Sequence, residues 1–243
     1  MTQPLSPRRS SHHPVRKILH PLGSKISYMT ATNNPLSSDV IFIKGDENTW
    51  IYDVGHSDEA LDAINEVKGH KNIVLSHFHA DHIGNIKRLD LENRDDITLY
   101  VSKQTYKYTN FGEIVEDEIS ICDGVQLKII PLPSSHSKGC LALEVDGEYV
   151  FLGDAIYPTY REDRREYNSQ KLKEQLDVLE GISATNFYLS HSSNKHILSK
   201  RVILMFIKSI YAKRNSHENL IVIEGMDKSL DFYEDIVKAQ MGE

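Results

Sequence analysis

SHFHADHIG, residues 76–84, puts three histidines and an aspartate within six residues, His77 to His82. The run just before it, 72–75, is short and apolar, the pattern of a buried strand. Ser76 begins the turn off its end. In an extended or turning backbone His77 and His79 point the same way, and Asp81 and His82 follow as the chain enters a helix. Imidazole nitrogen and carboxylate oxygen suit zinc, and iron or manganese as well. Sheets covered by helices hold ligands beyond the carboxyl ends of their strands, so this is a position where such donors can be used.

One cluster supplies at most four ligands, so a metal reading needs companions. His136 follows the apolar run 125–132 through Pro133-Ser134-Ser135. Asp154 ends the run 149–152 after Gly153, and His191 follows 187–189 after Ser190. Each stands just past an apolar strand, where a buried element opens to a cleft. That repeated placement is a stronger signal than the number of histidines. His56, His70, His196 and His217 lack it and read as surface residues.

Further strand-like runs lie at 40–43, 50–54, 98–101, 141–145 and 220–223. Gly45-Asp46-Glu47-Asn48 and Asp146-Gly147-Glu148 are tight-turn sequences, so 40–54 and 141–152 read as hairpins. Helical patterns cover 57–67, 82–89, 102–108, 169–179, 197–213 and 230–241, with Ser57 as an N-cap before Asp58 and Glu59. The mixed run REDRRE, 161–166, reads as a solvated loop or the start of a helix. No internal repeat interrupts the chain. The pattern predicts one α/β domain, 17–243, of packed sheets covered by helices, behind a flexible leader at 1–16 rich in Ser, Pro, Arg and His.

Composition narrows the function. The 243 residues are 40% hydrophobic and 26% charged, an ordinary globular balance. A net charge of −7 disfavours a general nucleic-acid partner. Two cysteines, Cys122 and Cys140, make no disulfide framework and read as packed thiols; a reduced, cytoplasmic setting is expected. No apolar run reaches the roughly 18 residues of a membrane span. The expected partner is a small-molecule substrate; oligomeric state is open.

In this order, His-x-His-x-Asp-His at 77–82, then His136, Asp154 and His191, the residues resemble the metallo-β-lactamase-fold hydrolase superfamily. His136 lies 54 residues beyond His82, Asp154 18 further on, and His191 37 beyond that. Asp53-Val54-Gly55 is similar to the family's Asp-x-Gly turn. The resemblance spans about 26–223 and implies a four-layer αββα sandwich, with two mixed β-sheets flanked by helices. It implies that His77, His79 and His136 hold one metal and Asp81, His82 and His191 a second. Asp154 would bridge them, and Asp53 would sit behind the ligands and fix the cluster loop. The implied cofactor is two divalent ions, Zn2+ first, with Fe or Mn as alternatives. The implied activity is attack of a metal-bridging hydroxide on an ester, thioester or lactone carbonyl, with Asp81 in the catalytic group.

Within the superfamily, the 37 residues from Asp154 to His191 leave no space for the large cap of the nucleic-acid-processing branch. The flavin-partnered di-iron reductases carry Glu where this chain has His79, and the β-lactamases proper typically depart from this cluster or place Cys at the position of Asp154. A mononuclear-iron persulfide dioxygenase uses the same ligand positions and remains an alternative, as does a phosphodiesterase on a small substrate. Tyr157, three residues past Asp154, resembles the Asp-x-x-Tyr of acyl-homoserine lactone lactonases. A phenol there would donate to a substrate carbonyl or leaving group; the other reading is a tyrosine packed at the cleft rim.

Overall fold

The computed structural model describes residues 19–161, 164–191, 197–215 and 217–223. The leader at 1–16, the helical pattern at 230–241 and His196 lie outside the described residues.

The first half supplies β1 (His20–Pro21), β2 (Ile26–Met29), the small hairpin of β3 (Thr32–Asn33) and β4 (Leu36–Ser37), β5 (Val40–Lys44) and β6 (Thr49–Tyr52). Then come α1 (Asp58–Glu66), β7 (Lys71–Val74), α2 (Ala80–Ile83), β8 (Ile97–Val101), α3 (Lys103–Thr109) and β9 (Glu113–Ile114). Apart from the small hairpin, these strands form a seven-stranded sheet in the order β1-β2-β5-β6-β7-β8-β9. It is antiparallel from β1 to β6 and parallel from β6 to β9.

The second half begins with β10 (Ile119–Cys122), β11 (Gln126–Leu132), β12 (Cys140–Val145) and β13 (Tyr149–Phe151). It continues with β14 (Thr159–Arg161), β15 (Arg164–Asn168), α4 (Ser169–Gly181), β16 (Asn186–Tyr188), β17 (Ile197–Ser199), α5 (Lys200–Ala212) and β18 (Leu220–Ile223). A second mixed sheet has the order β10-β11-β12-β13-β16-β17, and β14-β15-β18 make a small third sheet.

Side-chain alternation along the strands creates the layers. Ile51 and Ile73 pack on Ala60 and Ile64 of α1. Their neighbours Trp50, Tyr52 and Val74 turn to the other face and meet Leu127, Ile129, Leu143 and Phe151 of the second sheet. The far face of that sheet, with Ala142, Val150 and Phe187, packs on Leu172 and Leu179 of α4 and Ile203 and Phe206 of α5. Three apolar layers between four structural ones make the αββα sandwich. The sheets are also joined by hydrogen bonds: Tyr52 Oη donates to the Leu141 carbonyl at 2.7 Å.

Three elements depart from the sequence expectation. The helix expected over 82–89 is only Ala80–Ile83 plus a 3-10 turn at Ile86–Arg88. The helical ladder is broken because other segments take its groups. Ser38 N–H donates to the Asp81 carbonyl, Val54 N–H to that of His82, and Asn85 N–H to that of Gly55. The pattern at 197–213 divides: Ile197–Ser199 pair with β16, and the Ser199 hydroxyl then caps α5. REDRRE is not a solvated loop. Among its described residues, Arg161 ends β14 and Arg164–Glu166 lie in β15, which pairs with β18 and buries Arg165.

Candidate metal centre

The topology brings the strand-end residues together. β6, β7 and β8 run parallel, so Asp53, the 76–82 segment and α3 leave the first sheet at one edge. In the second sheet β11 and β13 both run antiparallel to β12, and β16 runs parallel to β13. The segments carrying His136, Asp154 and His191 therefore leave at one edge too. The backbone N–H of Leu141 donates to the Ser76 carbonyl at 2.8 Å, tying the two edges at the site.

Two sets of donor atoms result, each within 4.8 Å of one another: His77, His79 and His136 in one, and Asp81, His82, Asp154 and His191 in the other. His79 Nδ1 and His136 Nε2 stand 3.0 Å apart, and His82 Nε2 and His191 Nε2 3.3 Å apart. Asp154 lies between the sets, with Oδ2 3.3 Å from His82 Nε2 and 3.5 Å from His136 Nε2. Asp81 Oδ2 is 2.9 Å from His191 Nε2. All seven residues singled out as ligands are thus in one place.

The outer partners of three imidazoles show which nitrogen each turns to the site. His82 Nδ1 is 2.7 Å from Asp53 Oδ2, a carboxylate that only accepts, so Nδ1 donates and Nε2 is the nitrogen turned to the site. His136 Nδ1 donates to the Pro158 carbonyl at 3.1 Å, leaving Nε2 on the site side. The Ser76 hydroxyl donates to Asp53 Oδ2 at 2.8 Å, so it accepts from His77 Nδ1 at 3.0 Å. His77 Nε2 is then a bare acceptor in a fully buried ring, and neither it nor buried Asp154 Oδ1 has a hydrogen-bond partner. A buried acceptor left without a partner costs about 1–3 kcal/mol, and two at one point are what a cation site presents. Imidazole nitrogens converging from two sides, a carboxylate between them and two orphaned acceptors fit metal ions.

The electrostatics divide the rings. Burial opposes protonation of His82, but Asp154 and Asp53 raise it well above the ordinary imidazole range, and Asp81 and Asp154 likewise raise His191 against its burial, so a metal entering there displaces protons. Burial holds His77 well below the ordinary imidazole range, with His82 adding to the effect, and burial followed by His136 lowers His79. Both rings are therefore neutral and able to ligate. Burial opposes ionisation of Asp154, but His82, His191 and His136 outweigh it and hold the carboxyl well below its usual range.

Asp53 sits behind the cluster, fully buried at φ +60°. Besides orienting His82 it accepts from Ser76 N–H at 2.7 Å, so one carboxylate fixes both the turn and a ring. Tyr157 is buried, with its ring centroid 6.2 Å from that of His136, and its hydroxyl donates to the Ser190 carbonyl. It therefore spans from the Asp154 turn to the His191 turn.

Two supporting residues carry little signal in the sequence. Ser76 links Asp53, His77 and His82, but a serine before a histidine is unremarkable by itself. Gly153, at φ +54°, allows the turn before Asp154 to approach the first sheet: a Cβ there would stand 2.6 Å from that of Ser76. Its place before a strand-end aspartate is the one available hint.

The comparisons with known proteins agree with this geometry. Residues 33–191, more than half of the chain, match the family described as the Metallo-beta-lactamase superfamily. No curated protein matches the chain. A B3 metallo-beta-lactamase with an active-site glutamic acid superposes with a TM-score of 0.60 at 12% identity, covering 81% of this chain and 89% of its own. The archaeal metallo-beta-lactamase superfamily protein ST1585 from Sulfolobus tokodaii gives 0.56 at 16%, covering 90% and 95%. The sec-alkylsulfatase Pisa1 from Pseudomonas sp. gives 0.58 at 12%, covering 80% of this chain but 41% of its own. At such identities the structural likenesses establish the fold alone. The family match spans the 77–82 cluster, His136, Asp154 and His191, and on that ground the chain belongs to the metallo-beta-lactamase superfamily.

Proposed function

We propose that the chain is a hydrolase with two divalent metal ions, zinc in the first instance, acting on an ester, thioester or lactone carbonyl of a small molecule. The observation that carries this reading is the pair of donor sets meeting at Asp154, with His77 Nε2 and Asp154 Oδ1 buried and unsatisfied between them. His77, His79 and His136 would hold one ion and Asp81, His82 and His191 the other, with Asp154 reaching both. When bound, such ions lower the pKa of a water toward neutrality and polarise a carbonyl oxygen, so no serine or cysteine nucleophile is needed.

The chain's own residues do the rest. Asp53 and the Pro158 carbonyl fix the His82 and His136 rings in the tautomers that present Nε2. Asp81 has a 15% exposed side chain and engages His191 through Oδ2. Its Oδ1 is the atom left to take a proton released by the attacking water and return it to the leaving group. Asp81 and Asp154 bring two negative charges to the site, which would temper the Lewis acidity of ions held there.

Metal analysis of the purified protein, followed by a panel of ester, thioester, lactone and phosphodiester substrates, tests the reading. Near two metal equivalents with carbonyl hydrolysis, abolished by His79→Ala or Asp154→Ala, is the expected result. One tightly bound iron with oxygen consumption on a persulfide would replace it with the oxygenase.

A further inference from the structure

Of the two residues in the 77–82 cluster that the ligand pattern does not use, Phe78 and Ala80, one is aromatic. Phe78 lies between His77 and His79, is only half-buried, and sets its ring 5.1 Å from that of His79, edge to face. Its own face is stacked on Tyr108 of α3, with centroids 4.5 Å apart and planes within 4° of parallel. Tyr108 is 49% exposed, so the stack turns a broad aromatic surface to solvent beside the ligand histidines.

The fold explains why these rings meet at the metal site. β7 and β8 are parallel neighbours, so the cluster and α3 leave the same edge of the sheet. The loop after His136 presses on the start of α3: a Cβ on Gly139 would lie 2.5 Å from Ser102 Oγ and 3.0 Å from Gln104 Cβ. α3 therefore borders the His79 and His136 side of the centre. It does not need the stack for anchorage, because Ser102 caps it through Thr105 N–H at 3.1 Å and Thr105 is fully buried. The stack leaves about half of Tyr108 uncovered. A third flat or apolar group laid on that surface would extend the stack.

We propose that Phe78 and Tyr108 form an apolar wall that receives the acyl side of the substrate, selecting aryl or long-chain acyl groups over acetyl. The wall deepens the hydrolase reading and rests on it. Phe78 faces the metal-ligand side and Tyr108 supplies the exposed surface. No charged side chain takes part in the stack, so discrimination is by area and shape.

The test uses phenylacetyl and acetyl thioesters of one thiol, so that the leaving group is constant, with zinc-reconstituted protein. In Tyr108→Ala the ratio of kcat/KM for phenylacetyl over acetyl falls roughly tenfold, the upper part of the range for an aromatic pair. In Tyr108→Phe it is retained. An unchanged ratio in Tyr108→Ala overturns the wall and leaves the hydrolase reading standing. Should the wild-type protein cleave no thioester, ester or lactone, the hydrolase reading falls by itself. Binding of phenylacetate, followed by saturation-transfer NMR, then decides the wall. A signal in wild type that is lost in Tyr108→Ala upholds it, and equal signals in both overturn it.

Discussion

Tyr157 has a single hydroxyl proton, and the Ser190 carbonyl takes it. The residue after Ser190 is His191, held at φ +62°, a left-handed conformation uncommon outside glycine. Tyr157→Phe keeps the ring and removes that restraint. A net hydrogen bond is worth about 1 kcal/mol, so affinity of the Asp81–His82–His191 set for zinc is expected to fall about fivefold. Titration against a competing chromophoric chelator measures it, and kcat on lactones at saturating zinc should change less. A large loss of kcat with unchanged zinc affinity would restore the donor role suggested by the Asp-x-x-Tyr spacing. The cysteines give a second prediction. Burial pushes the Cys140 thiol up to about 12, whereas Cys122 is exposed. One thiol per chain should react with a disulfide reagent at pH 8 in the native protein, and two after denaturation; two fast native thiols would contradict the burial of Cys140. The sequence reading packed both. Cys122 closes β10, an edge strand whose residues alternate between half-buried and exposed, and a short edge strand resembles an internal one in composition. Strand-end ligands were legible because their donor chemistry is rare at such places; Ser76 was not, because serine is common in turns.

Strands with continuous apolar runs were the readable elements. β5, β7 and β12 are buried on both faces, so the core itself writes their sequence. β15 was missed because its charged residues pair with one another: Arg164 Nε donates to Glu166 Oε1 at 2.6 Å while Arg165 and Tyr167 are buried. α2 was overextended because sequence periodicity cannot show that Ser38 and Val54 would claim its carbonyls. β7 and β8 also share an ionic device where the strands begin. Lys71, almost fully buried, donates to Asp96 Oδ2 at 2.6 Å, and Arg94 forks onto both Asp96 oxygens at 2.7 Å. These hydrogen bonds, Arg94's first and then Lys71's, hold the Asp96 carboxyl well below the usual carboxylate range. A depressed folded pKa means that the stabilisation is complete above the unfolded value of about 4 and is lost as pH falls through the lower folded value. Asp96→Asn removes it at every pH. Urea melts from pH 7 to pH 3 should show the variant less stable at pH 7, with the gap to wild type narrowing below about pH 4. A constant gap across that range would mean that Asp96 acts by shape and not by charge.

At the scale of the molecule the centre is a seam. His77, His79, Asp81 and His82 follow a strand of the first sheet, and His136, Asp154 and His191 follow three strands of the second. Metal in either donor set therefore ties the two sheets. The seam keeps buried acceptors unsatisfied at His77 Nε2 and Asp154 Oδ1 and crowds imidazole nitrogens to 3.0 Å and 3.3 Å of one another. Ions that bind the folded chain and not the unfolded one add RT ln(1 + [L]/Kd), about 4 kcal/mol at a thousandfold excess over Kd. For a domain of this size each kcal/mol moves Tm by about 2–4 °C, so zinc saturation is expected to raise Tm by roughly 10 °C over chelator-stripped protein. His136→Ala separates this coupling from a general salt effect, because it removes one of the three second-sheet donors among the described residues and should shrink the zinc-dependent shift while leaving the stripped Tm near wild type. Equal Tm values for stripped and zinc-saturated wild type, with the metal content of each verified, would mean that the donor sets meet without joining the sheets.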